Sequence, residues 1–185
     1  MRTTIASTAA ALSAAALTFA VAGPAHAELY GIDDPRDTHH GSDIRSLSVK
    51  NGQENLHVVS IHEGLRRDPA TGSGGTVYID TDRSDHGPEY VVTAGFFRGT
   101  DYVLSETEGF GHRQLGDPVE QGDYIMHVDY RDDRVHLKLS RRAIGDATDV
   151  RVAMKASGTR TDGTSDGLTD WVGEPRTYTP WVAQG

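Results

Sequence analysis

The chain has 185 residues, with 18 Lys and Arg against 27 Asp and Glu, a formal net charge of −9 and no cysteine. At a mean hydropathy of −0.49 it is too polar for a polytopic membrane protein. The missing cysteines exclude a disulfide scaffold, a zinc–thiolate centre and a thiol nucleophile, and the acidic balance argues against a nucleic-acid partner.

Residues 1–27 read as a targeting segment. Met1-Arg2 is followed by an Ala-, Ser-, Thr- and Leu-rich run from Thr3 to Ala22, then Gly23-Pro24 and the small-residue pattern Ala25-His26-Ala27. This order predicts a secretory signal peptide cut after Ala27, release outside the cell, and no stable membrane insertion once the segment is removed. The remainder, Glu28 to Gly185, is long enough for one hydrophobic core without staples and too short for two. Its scarcity of lysine (Lys50, Lys138 and Lys155) fits a GC-rich bacterial coding sequence.

From Asp43 onward, short runs with period-two alternation are separated by Gly, Asp, Asn and Pro clusters, which predicts an all-β domain. Ile44 to Lys50 and Glu54 to His62 are expected as a hairpin across Asn51-Gly52, a dipeptide that tolerates the positive φ of tight turns. Thr71-Gly72-Ser73-Gly74-Gly75 is expected to be a flexible hairpin tip. Strands follow at Thr76 to Thr81, Glu89 to Ala94 and Asp101 to Ser105. Tyr124 to Tyr130 and Val135 to Leu139 form the clearest hairpin, with Val135, Leu137 and Leu139 on the buried face. Arg141 to Ile144 is too short for more than a 3₁₀ turn. Asp149 to Ala156 alternates Val150, Val152 and Met154 inward, Ser157 to Thr169 is loop material, and Arg176 to Val182 is a last aromatic strand. About eight strands at this spacing predict a single two-layer antiparallel β-sandwich, jelly-roll-like, with a closed barrel as the alternative.

Several groups could carry chemistry. Asp33, Asp34, Asp37 and Asp43 lie in an early segment broken by Pro35 and Gly41, and oxygen-rich loops of this kind suit Ca²⁺. Asp80, Asp82 and Asp85 start like an EF-hand loop, but Asp85 stands where the turn glycine belongs and Val91 where the closing Glu belongs, so only an irregular calcium site survives there. We therefore take Asp37, Asp43, Asp80, Asp82 and Asp85 as candidate metal ligands, with Ca²⁺ as the one cofactor considered. Among the histidines, His57, His127 and His136 fall at outward strand positions without a zinc-site spacing. Glu63, Glu89, Glu106, Glu108 and Glu120 could supply a hydrolytic carboxylate pair, which is defined by a separation in space. No nucleophile elbow or phosphate-binding lysine follows a Gly cluster. Trp171, Tyr178 and Trp181 crowd the end of the chain, where aromatic faces serve either to stack on a ligand or to close one end of a sandwich.

Asp43-Ile44, Tyr78-Ile79-Asp80-Thr81-Asp82, Gly87-Pro88-Glu89-Tyr90 and Thr179-Pro180-Trp181-Val182 together resemble exported proteins of high-GC Gram-positive bacteria. Their β-sandwich is similar to family 9 carbohydrate-binding modules and DOMON-like domains. The resemblance implies a domain that binds sugars, haem or another ligand instead of catalysing, in some cases with structural calcium. No Met/His pair presents itself for haem. The expected function is a secreted, non-enzymatic binding module, with polysaccharide or a cell-envelope component as partner and Trp171, Tyr178 and Trp181 as ligand-binding residues. The alternatives are an extracellular hydrolase using carboxylates or a histidine-bound metal, and a structural or interaction protein of the cell envelope.

Overall fold

The computed structural model describes residues 28–38, 41–160, 162, 164 and 167–185. The expected signal segment, together with His39 and His40, lies outside the described residues. Twelve strands are present among those described: β1 (Glu28–Asp33), β2 (Ile44–Asn51), β3 (Asn55–His62), β4 (Ser73–Asp80), β5 (Tyr90–Gly95), β6 (Tyr102–Thr107), β7 (Leu115–Pro118), β8 (Tyr124–Asp129), β9 (Arg134–Ser140), β10 (Asp149–Gly158), β11 (Thr169–Trp171) and β12 (Val182–Ala183). Among the described residues helix is confined to 3₁₀ turns at His112–Gln114 and Arg141–Ile144. No helix among the described residues is long and apolar enough to cross a membrane.

The strands form two antiparallel sheets, a five-stranded one in the order β1-β2-β3-β9-β8 and a seven-stranded one in the order β11-β10-β4-β5-β6-β7, with β12 pairing β10. The fold is an all-β sandwich. Period two explains it: Leu56 and Val58 on β3 and Val135, Leu137 and Leu139 on β9 face Val77 and Ile79 on β4 and Val150, Val152 and Met154 on β10 in one buried cluster. A bulge between Ile44 and Ser46 keeps Ile44 and Leu47 on the same inner face although they are three residues apart.

Four expectations need correction. The sandwich has more strands than expected, because β1, β7 and β11 are short or exposed and carry little apolar signal. Ser73, Gly74 and Gly75 are not a hairpin tip but the start of β4, paired with β5 and β10. Gly75 is required there, since a Cβ at that position would run into the Phe96 ring. Neither Asn51 nor Gly52 takes a positive φ, and Asn51 is instead fully buried, donating through Nδ2 to the Val182 and Thr148 carbonyls at 3.0 and 3.2 Å. The expected strand over Arg176 to Val182 is reduced to β12 and an isolated Thr179–Val152 pairing, because Arg176 has φ 65° and Pro180 has no amide to donate.

Buried polar groups tie the layers. Arg141 donates to Asn51 Oδ1 at 3.0 Å and to the Asp146 and Ala147 carbonyls. His62 sits on the inner face against Phe96, its Nδ1 donating to the Gly41 carbonyl at 2.9 Å and its Nε2 accepting from the Ser60 hydroxyl at 2.8 Å.

Leu137→Ala should cost about 2–5 kcal/mol in urea unfolding, as a large-to-small change in the packed core. His62 yields a pH dependence. Burial pulls its pKa from 6.5 to about 4, outweighing the Gly41 hydrogen bond and the Asp133 and Asp43 charges that raise it. The neutral ring's contribution is thus present above pH 6.5 and lost as pH falls through about 4, up to about 3 kcal/mol. Unfolding measured at pH 7.5 and pH 4.5 should show this loss, and His62→Gln should make it smaller.

Candidate functional site

The inner face of the seven-stranded sheet belongs to the core, but its outer face is not left bare. Tyr78 on β4, Val91 on β5 and Ala153 on β10 form a second buried cluster there, capped by Phe110, Trp171 and Tyr178. Tyr78 stacks on Trp171 with centroids 5.9 Å apart and planes 11° apart, and its hydroxyl donates to the Phe110 carbonyl at 3.2 Å. Tyr178 leans on Phe110 at 5.4 Å, and burial, with Asp80 adding to it, pushes the Tyr178 phenol well above its ordinary pKa.

An arginine organises the other end of this layer. Arg151 ion-pairs with Asp80 Oδ2 through Nη2 at 2.5 Å and Nε at 2.7 Å, and its guanidinium lies 4.4 Å from the Tyr178 ring centroid and 4.8 Å from that of Trp181. Trp181 is also met by Arg83, whose own carboxylate partner is Asp149. Trp171, Tyr178 and Trp181 therefore share one sheet face, but Tyr178 and Trp181 are engaged by guanidinium groups and Trp171 lies against Tyr78 with Lys155 Nζ 5.7 Å from its ring, so none of the three faces the open space that Tyr78, Phe110 and Lys155 border.

That open space is a groove along β10, β4 and β5. One part, about 500 Å³, is lined by Gly74, Thr76, Thr93, Asp101, Lys155 and Ser157, and the adjoining part, about 390 Å³, by Thr76, Tyr78, Thr93, Phe110, His112 and Lys155. The shared residues Thr76, Thr93 and Lys155 make it continuous. Its walls offer hydroxyls, one ammonium and one carboxylate beside aromatic rings, a mixture suited to an uncharged polyhydroxylated ligand.

The carboxylates singled out from the sequence separate into two sets. Asp80 is fully buried and held by Arg151, Asp82 Oδ1 accepts from the Ser84 amide and hydroxyl, and Asp85 accepts from the His86 amide, so this loop spends its carboxylates on its own turn. Asp37 and Asp43 converge with two residues that were not singled out as ligands. Asp43 Oδ1 accepts from the amides of Asp37 and Thr38, both at 2.8 Å, while Asp34, Asp37 and Asp170 bring one oxygen each to within 4.8 Å of one another. Asp34 was legible as part of the acidic segment. Asp170 was not, because it reaches the cluster only through the pairing of β11 with β10, where its Oδ2 accepts from the Ile44 amide at 2.7 Å.

Two other groupings form. His57 Nδ1 lies 3.0 Å from His136 Nε2 across β3 and β9, and His127 is the register partner of His136 on β8, giving a row of histidines on the outer face of the five-stranded sheet. Burial first, then the neighbouring charges, lowers the pKa of both His57 and His136. Glu89, Glu106 and Glu108 line one recess and Glu106 and Glu120 another, whereas Glu63 pairs with Arg36. Glu89 Oε2 already accepts from the Thr81 amide and hydroxyl.

Compared with known proteins, the chain matches no protein-family model, no curated relative and no solved structure.

Arg151→Met should lower stability by about 3–5 kcal/mol, since it strands the buried Asp80 carboxylate. Combining it with Asp80→Asn should recover part of that loss. Chemical denaturation of the two variants measures the difference.

Proposed function

We propose that this chain is an exported, non-enzymatic β-sandwich that binds polysaccharide in the groove on the outer face of its seven-stranded sheet. The observation that carries this reading is the composition of that groove, with Thr76, Thr93 and Lys155 in its middle, Tyr78 and Phe110 at one end, and Trp171 stacked on Tyr78 behind it. Hydroxyl and ammonium groups answer a sugar's hydroxyls, and aromatic rings answer its apolar C–H faces. The signal-like residues 1–27 support placement outside the cell, where glycans of the envelope or the surroundings are the available polymers.

The ligand runs along the strands in this reading. Gly74 to Tyr78 spans about 13 Å at the rise of an extended strand, room for about two to three linked sugar rings, so an oligomer is held better than a monosaccharide. Trp181 and Tyr178 act one layer back. They hold Arg151 and Phe110, and Phe110 in turn shapes the groove wall.

The test is a glycan array followed by titration of the best oligosaccharide. Phe110→Ala should weaken binding about three- to tenfold, the loss of one aromatic contact, and Lys155→Ala should do so independently. Retention of a polysaccharide by both variants at wild-type affinity would remove the groove from consideration.

A further inference from the structure

We propose that Asp34, Asp37 and Asp170 form a calcium site that latches the connection between β1 and β2 onto β11. The proposal stands apart from the glycan reading, because these residues do not line the groove.

Two carboxylates of the connection between β1 and β2, Asp34 and Asp37, meet Asp170 of β11 here, one oxygen of each lying within 4.8 Å of the other two. Oxygens this close can share one Ca²⁺, whose opposite ligands lie about 4.6–5.2 Å apart at the usual Ca–O distances. The donors are oxygens only, which selects a hard cation over zinc or copper.

A second observation points to the ion independently. Asp34 is only 6% exposed, its Oδ1 accepts from the Gly173 amide at 2.7 Å, and its Oδ2 is buried with no hydrogen-bond partner. A buried carboxylate oxygen without a donor is costly, and a cation is the partner that removes the cost. Asp170 is buried as well, with Oδ2 fixed by the Ile44 amide. No ion pair to Asp34, Asp37 or Asp170 is found among the described residues; the arginines on either side go elsewhere, Arg36 to Glu63 and Arg45 to Asp43 at 3.5 Å.

The surroundings are arranged for a cation. Asp43 sets the position of Asp37 by accepting two amides of its loop, and adds a further negative charge next to the three ligands. Burial first, then the neighbouring carboxylates, pushes Asp170 up to about 7 and raises Asp34 in the same direction. An ion among these groups relieves their mutual repulsion and, by joining Asp34 and Asp37 to Asp170, closes the sandwich at a place where another exported protein would carry a disulfide. Asp37 is exposed, so water can complete the coordination.

The experiment is a calcium titration of the purified full-length chain, first stripped with chelator, read by calorimetry and by melting temperature. Calcium at about a hundred times its dissociation constant should raise the melting temperature by about 5–10 °C, with a much smaller rise in magnesium. Asp34→Asn and Asp170→Asn should abolish the rise while melting in chelator at or above the wild-type temperature, and Asp82→Asn should keep it. Asp37→Asn, at an exposed position that tolerates change, should weaken calcium binding at least about tenfold even if the buried variants fail to fold. An unchanged melting temperature in millimolar calcium, or a rise that survives in Asp37→Asn and disappears in Asp82→Asn, would overturn the site.

Discussion

Everything else in this molecule depends on two sheets that can each bury only alternate side chains against the other. Without disulfides, the apolar faces of β2, β3 and β9 against β4, β5 and β10 supply the main driving force for folding. The faces left over differ. The outer side of the five-stranded sheet carries Lys50, His57, His136 and Lys138 and faces water, whereas the outer side of the seven-stranded sheet is partly roofed by Phe110, Trp171 and Tyr178. β10 is accordingly packed from both sides, with Val150, Val152 and Met154 in the core and Ala153 beneath the aromatic roof. The groove begins where Tyr78 and Phe110 meet Thr76 and Lys155.

Buried polar groups do the work of cross-links between segments far apart in sequence. Asn51 joins β2 to the last strand, Arg141 joins Asn51 to the carbonyls of Asp146 and Ala147, and Asp170 reaches across to Ile44. Each is stabilising only while its partners are present, because a stranded buried donor or acceptor forfeits its hydration. Asp80 follows the same rule through Arg151, and the aromatic layer inherits its order from that pair. Among the described carboxylates Asp34 is the exception, with one buried oxygen satisfied and one not, and that imbalance singles out its cluster among the acidic groups.

The groove and the acidic cluster arise from different physics. The groove exists because small and hydroxylated residues, Gly74, Thr76, Thr93 and Ser157, leave the outer sheet face low between Phe110 and Val103. The acidic cluster exists because burial concentrates like charge, which is unfavourable until something neutralises it. One is a recognition surface with balanced donors and acceptors, and the other a charge imbalance within the structure.

By itself the sequence determined the all-β class, the hairpins β2–β3 and β8–β9, the inward faces of β9 and β10 and the 3₁₀ turn at Arg141–Ile144. These follow from local alternation, which neighbouring residues encode. It did not reveal β1, β7 or β11, because an edge strand buries too little to need an apolar pattern, as the wholly exposed Leu115–Pro118 demonstrates. Nor did it assign Asn51, read as a turn residue although its amide serves a buried tie more than a hundred residues away. The acidity of the Asp33–Asp43 segment was visible in the chain, but its pairing with Asp170, the enclosure of Asp80 by Arg151 and the meeting of Trp171 with Tyr78 were not. Those contacts are made across sheets and between strands distant in sequence, and only the tertiary structure could decide them, since a side chain's partners there are set by strand register and not by its neighbours along the chain.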